Sequence, residues 1–346
     1  MDPWKPIPRH WFVGPKIYSI NDKFVVARCK KANLQGGATF ALKAALHARY
    51  NNLIEMEREV LLMFRQNQSF VVQFPHQDRS FRVKYTGQAA FAGRAAAGDN
   101  YALLFPKPKK TAYTWFRYWH LKTGKAPPAS VLTTLLRSAL EGLHYLHDQG
   151  ISLRKLQLSD LEIVGTTELR VRYLNFENAC VMPHSPHFHK LGEDKKIRWI
   201  ERQKSRDFDV RFTSPELARD ILDSLKSTEE IRQIDSKILI TSDIFLLGMA
   251  FYFGITMMSV YSVIFPPEQV VTAIDLDRII NDYRGLMSSF SDSLPIQVVK
   301  TMLSYAPSMR ADTKFLLEYI NTPVVELTTT LPDSDFPMVF PEITED

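Results

Sequence analysis

The chain has 346 residues, 45% hydrophobic and 12% aromatic, with 14 Gly and 20 Pro. These proportions exclude collagen-like and coiled-coil architectures and disorder of the whole chain, and the length suits one large domain or two joined lobes. The formal net charge is +5, but the last 26 residues, Asn321 to Asp346, hold six acidic groups and no Lys or Arg, so the rest of the chain carries about +11. The two cysteines, Cys29 and Cys180, are far apart and fit neither a zinc site nor a disulfide framework. With no apolar stretch behind a basic cap at the start, the expected compartment is the cytoplasm, the nucleus being the alternative.

In chain order, residues 1–16 are rich in Pro and Trp and are expected to form an irregular arm. KFVVAR (Lys23 to Arg28) and TFALK (Thr39 to Lys43) have the β-branched and alternating character of strands, with a turn around Gln35 to Gly37. The apolar residues Leu53, Met56, Val60, Met63 and Phe64 recur at helical spacing and predict a helix over Asn51 to Arg65. Strand-like runs follow at Phe70 to Phe74, Phe81 to Tyr85 and Tyr101 to Phe105, interrupted by the loop-like AAFAGRAAAG.

Beyond Pro106 the pattern becomes helical. Leu132, Leu135, Leu136, Ala139, Leu143 and Leu146 share one face of a helix from Ser130 to His147 that Gly150 stops. Two short strands are expected at Leu161 to Val164 and Leu169 to Leu174, then a long polar stretch to Pro215 and further helices to about Ile320. From Ile244 to Phe265 there are 22 consecutive uncharged residues, long enough to cross a bilayer, or alternatively a helix buried on all sides in a large domain.

Four segments decide between those alternatives. LEGLHYLHDQGI (Leu140 to Ile151), TSPEL (Thr213 to Leu217), SDIFLLG (Ser242 to Gly248) and MLSYAPSMRAD (Met302 to Asp312) resemble, in order and interval, the helical-lobe motifs of eukaryotic protein kinases. The resemblance covers roughly residues 17–321. It implies an α+β, bilobal protein kinase-like fold with a small β-rich N-lobe at 17–106, a larger helical C-lobe at 107–321, and flanking segments 1–16 and 322–346. The apolar run then starts at Asp243 as the family's buried central helix, so no membrane is expected. Glu216 and Arg310 are implied as a buried ion pair of the fold.

Phosphoryl transfer needs a cradle for phosphates, a carboxylate-held Mg²⁺ and a carboxylate base beside the acceptor hydroxyl. TFALK resembles V-A-I-K, which implies Lys43 as the phosphate-side cation and Glu59 as its helix partner, Glu55 being the competitor by register. The connector near Phe105 to Pro108 is the implied adenine edge, with the Lys107 N–H as donor because Pro106 has none. The other parts depart from the family. Ile17 to Ala27 contains no glycine where the family has G-x-G-x-x-G. H-R-D-L-K-P-x-N is answered by LRKLQLSD, keeping Arg154 but placing Lys155 at the base position and Asp160 at the metal-binding Asn position. D-F-G is answered by Asn175, Phe176 and Glu177. A lysine does not accept the hydroxyl proton, and a neutral amide is a poor Mg²⁺ ligand.

The resemblance therefore implies a pseudokinase, an allosteric adaptor or scaffold for a protein partner such as an active kinase, with features shared with STRAD-type adaptor pseudokinases. No cofactor is required on this reading, and any ATP binding is weak and independent of Mg²⁺. The alternative is a divergent serine/threonine kinase using Lys43, Asp160 and Glu177 in rearranged roles, in which Asp160 and Glu177 form a displaced cation-binding pair. Otherwise these two carboxylates are expected to be solvated or paired with Lys155 and Arg154. The segment from Asn175 to Glu216 reads as a long polar loop, with His184, His187 and His189 as metal candidates and seven basic residues between Lys190 and Arg206. Those bases suit an acidic partner, a phosphorylated residue or the acidic tail. A second alternative, nucleic-acid binding, draws on the aromatics and bases of TWFRYWHLK (Thr114 to Lys122).

Overall fold

A computed structural model of the chain describes residues 5–6, 11–20, 23–31, 39–64, 70–71, 80–84, 99–107, 110–165, 168–203, 214–217, 234–257, 293–304 and 306–321. The acidic tail, the Gly/Ala-rich stretch, the turn at Gln35 to Gly37 and the last eight residues of the apolar run lie outside the described residues. The fold is mixed, with an antiparallel sheet and a set of packed helices.

Strands β1 (Lys5–Pro6), β2 (Trp11–Ile20), β3 (Phe24–Lys31), β4 (Thr39–Ala45), β5 (Ser80–Lys84) and β6 (Asp99–Pro106) form one sheet in the order β1-β5-β6-β4-β3-β2. Every neighbouring pair is antiparallel except β1 with β5. Residues 1–16, read from the sequence as an irregular arm, thus supply both edges of the sheet. Proline is tolerated at an edge because its missing N–H is not needed by a neighbour. Gly14-Pro15 falls in the gap where the β2–β3 register shifts between Val13 and Ile17.

Alternation along the central strands gives the sheet two apolar faces. Val25, Cys29, Leu42, Ala44, Ala102 and Leu104 bury one small cluster. Phe24, Leu103 and Phe105 face the other way and join the main core. Helix α1 (Asn51–Met63) lies against β4 and β6 and buries Leu53, Ile54, Met56, Glu57, Val60 and Leu61. Lys43, between Leu42 and Ala44, falls on the face that α1 covers.

The helices α2 (Ala112–Thr123), α3 (Ala129–Asp148), α4 (Glu193–Gln203), α5 (Ser236–Thr256), α6 (Leu294–Met302) and α7 (Thr313–Asn321) account for the rest of the main core, with the short pairs β7 (Ile151–Ser152) with β10 (Cys180–Val181) and β8 (Leu161–Val164) with β9 (Arg170–Tyr173). The predicted stripe of α3 is buried from Leu132 to Leu146, each leucine worth about 1.5–3 kcal/mol in transfer from water. Gly150 ends it at φ 70°, where a Cβ would strike Ser185. Helix α5 is long and apolar enough to cross a membrane, yet it packs against α2, α3 and α6 and is buried around most of its circumference. A Cβ at its Gly248 or Gly254 would come within 2.9 Å of Leu303 or 3.0 Å of the Phe116 ring, closer than ordinary contact, and the Thr241 and Thr256 hydroxyls donate to carbonyls of their own helix.

Candidate functional site

The site lies where β4, α1, the end of β9 and the loop after β7 converge. Lys43 is buried, 7% exposed, with Phe24 beneath its ammonium at 4.9 Å from the ring centroid. A lysine has three N–H donors to place, and a buried one must place them all. Here Nζ meets Glu57 Oε2 at 2.8 Å, Glu177 Oε2 at 2.9 Å and Asn175 Oδ1 at 2.8 Å. Burial alone would lower the Lys43 pKa, but the carboxylates of Glu177 and Glu57 outweigh it and hold it above the ordinary lysine range.

The helix partner of Lys43 is Glu57, not the expected Glu59 or its competitor Glu55. Glu57 is one helical turn from Leu53 and from Leu61, on the buried stripe of α1, whereas positions two residues to either side project about 200° away. Burial raises the Glu57 pKa against the opposing pull of Lys43, and its second oxygen accepts the Phe176 N–H at 3.2 Å. Glu59 and Glu55 are instead bound from outside by α4: Lys195 pairs with Glu59, and Arg198 Nη1 lies 3.2 Å from Glu55 Oε2. The segment read as a polar loop therefore contains a helix, seated by the buried Trp199. The acidic first turn, Glu193 and Asp194, was the sequence signal for it. Part of the basic run is thereby neutralised within the chain.

Strand β9 delivers Asn175 and Glu177. Tyr173 is held by its hydroxyl to the Ala139 carbonyl at 2.7 Å and by its N–H to the Phe70 carbonyl at 2.8 Å. Phe176 is buried against Phe64, with ring centroids 6.0 Å apart. The Glu177 N–H donates to Asn175 Oδ1 at 3.2 Å, a local turn that brings both side chains to the same ammonium. Asn175 Nδ2 donates to Asp160 Oδ1 at 3.0 Å, and the Gln157 N–H donates to Asp160 Oδ2 at 2.9 Å. Burial is the main cause lifting the Asp160 pKa to about 6, against the pull of the Asn175 amide.

The expected pairing of these two carboxylates with Lys155 and Arg154 is met only in part, by Glu177 and Lys155. Glu177 turns to Lys43 with Lys155 Nζ 3.9 Å from its other oxygen, and Asp160 is held by an amide and a backbone N–H. Lys155 is part-buried beside Glu177. Its loop is pinned from below by Asp243, which is completely buried and accepts the N–H groups of Leu153 and Arg154, each at 2.8 Å, with His147 Nε2 3.1 Å away. Arg154 is held at φ 60°, an uncommon conformation for a residue with a Cβ.

Glu216 and Arg310 form a bidentate pair, and Arg310 further donates to the Ser304 and Thr241 carbonyls and lies over the Phe245 ring. Phe105 is a buried strand residue paired in register with Ala41, and Lys107 follows the end of that strand. Among the described residues no three His, Cys, Asp or Glu side chains converge as metal ligands, His184, His187 and His189 included. Trp115 and Phe116 are buried in the α2 core contacts, so these rings of the aromatic-basic segment do not offer faces to bases. Compared with known proteins, the chain matches no family model and no curated sequence.

Proposed function

We propose that the chain is a kinase-like pseudokinase that acts as an adaptor for a protein partner rather than as a phosphotransferase. On this reading β1 to β6 with α1 make a small lobe, and the helices from α2 onward make a large one. Lys43 with Glu57, Asp243 at the start of an apolar helix, and the Glu216–Arg310 pair keep the framework residues of the resemblance.

The observation that carries the loss of chemistry is the shared grip on Lys43. The cation that would neutralise phosphate is consumed by Glu57, Asn175 and Glu177, while Lys155 replaces the base that would deprotonate an acceptor. The Glu59 and Glu55 pairs with α4 fix the segment after Glu177 to the outer face of α1, giving a preformed surface in place of a substrate channel. An active kinase is the partner class that the resemblance suggests, and the cytoplasm is the compartment that fits two buried cysteines far apart in the sequence.

The test is transfer of labelled γ-phosphate, to the chain itself and to generic protein acceptors, with Mg²⁺ or Mn²⁺. The expected result is no transfer above that of Lys43→Met. Transfer abolished by Lys43→Met would overturn the reading in favour of a divergent kinase using Asp160 and Glu177.

A further inference from the structure

Lys43 is a buried cation, and the chain meets it with two of its own carboxylates. We propose that Glu177 is a built-in anionic occupant of a polyphosphate-binding site, so that a nucleoside triphosphate or inorganic polyphosphate reaches Lys43 only when Glu177 is displaced. The inference rests on the kinase-like reading for the direction from which phosphate would approach, and on the following geometry for everything else.

The Lys43 ammonium donates a hydrogen bond to Asn175 Oδ1 at 2.8 Å and is ion-paired with Glu57 Oε2 at 2.8 Å and Glu177 Oε2 at 2.9 Å. Glu57 comes from the interior and is also fixed by the Phe176 N–H. Asn175 is tied to Asp160. Glu177 differs from both, since its second oxygen is engaged by Lys155 Nζ at 3.9 Å and Asn178 Nδ2 at 3.3 Å, side chains at the rim of the site. A carboxylate held between two ammonium groups is what a phosphate oxygen would be if it took the same place. With Glu177 in position, two ammonium groups face three carboxylates, Glu57, Glu177 and Asp160, and an incoming anion meets net repulsion. Moving Glu177 away leaves Lys43 and Lys155 converging on the vacated position.

The segment after Glu177 is buried from Ala179 to Met182, paired through β10 with β7 and tied through α4 to α1, so on this proposal the anion is displaced by rotation of the Glu177 side chain rather than by movement of the segment.

The full chain and its Glu177→Gln and Glu177→Gly variants, each verified as folded by circular dichroism, are titrated with sodium tripolyphosphate and with ATP, both without divalent cation. The expected result is at least a tenfold tighter Kd for both variants than for the unaltered chain, with a rise of several degrees in Tm that disappears when Lys43→Met is added. Equal binding of the two probes supports an inorganic polyphosphate site, and tighter ATP binding supports a nucleotide site. Equal affinities in the unaltered chain and Glu177→Gln would overturn the inference. Should neither variant fold, the unaltered chain still decides: amine-directed acylation read by mass spectrometry must leave Lys43 unmodified and unaffected by tripolyphosphate, and polyphosphate-dependent protection of Lys43 would refute internal occupancy. Phosphate transfer by the unaltered chain would sink the pseudokinase reading while leaving this comparison intact.

Discussion

Replacing Asp243 by Ala removes one carboxylate and strands three donors in the interior. The Leu153 and Arg154 N–H groups at 2.8 Å and His147 Nε2 at 3.1 Å all turn to the same buried side chain. Hydrogen bonds to a charged acceptor contribute about 1.5–3 kcal/mol each, and breaking a buried pair costs about 3–5 kcal/mol in total because the losses are not additive. Part of the loss is offset, since Arg154 is freed to leave φ 60°, which relieves about 1–2 kcal/mol of left-handed strain. The expected net loss is therefore about 1–4 kcal/mol, a substantial fraction of the ~5–15 kcal/mol typical of native proteins. Asp243→Asn, which keeps one acceptor oxygen, should lose roughly half as much. Urea unfolding gives the magnitude, and hydrogen exchange of the Leu153 and Arg154 amides gives the location. A loss under about 1 kcal/mol for Asp243→Ala, with both amides still protected, would refute the view that this carboxylate holds the loop.

Further outcomes follow from other parts of the structure. Gly150→Ala meets Ser185 Cβ at 2.5 Å and Cα at 2.6 Å from a left-handed backbone, so thermal melting should register a loss above about 2 kcal/mol. Arg198→Glu should cost under about 1 kcal/mol at low salt, and the swapped pair Glu55→Arg with Arg198→Glu should recover most of it; equal loss in both would show that the α1–α4 contact is not electrostatic. Asp160 has a folded pKa of about 6 against an ordinary value of 3.8, so its contribution is fully present below pH ~4 and is lost as pH rises through ~6. The slope of stability against pH in that window should shrink in Asp160→Asn, and an unchanged slope would contradict the burial of this carboxyl.

Where a segment's own pattern decides its structure, the sequence was informative. The α3 stripe, the Leu161–Val164 strand and the cores of β3, β4 and β6 follow from periodicity within one element. The edge strands were not legible, because Pro and Gly near Gly14-Pro15 suppress local strand character and only pairing with β3 supplies it. For Lys43 the residue was legible and its partner was not. Three glutamates, at 55, 57 and 59, lie within one turn and a half of α1, and which of them faces inward depends on where the sheet and α4 touch the helix. The engagement of Glu177 with Lys43 was hidden for a related reason: it joins residues 134 positions apart through a turn that Asn175 makes with its own side chain.

The ion pairs around Lys43 also tie positions 155 and 177 to each other. Lys155→Asp alone would remove the ammonium beside Glu177 and set a new negative charge next to Glu177 and Asp160, which destabilises the site. Glu177→Gly alone would leave Lys43 and Lys155 facing each other without their shared counter-ion. Each residue penalises a single change at the other, so the two positions tolerate substitution together better than one at a time.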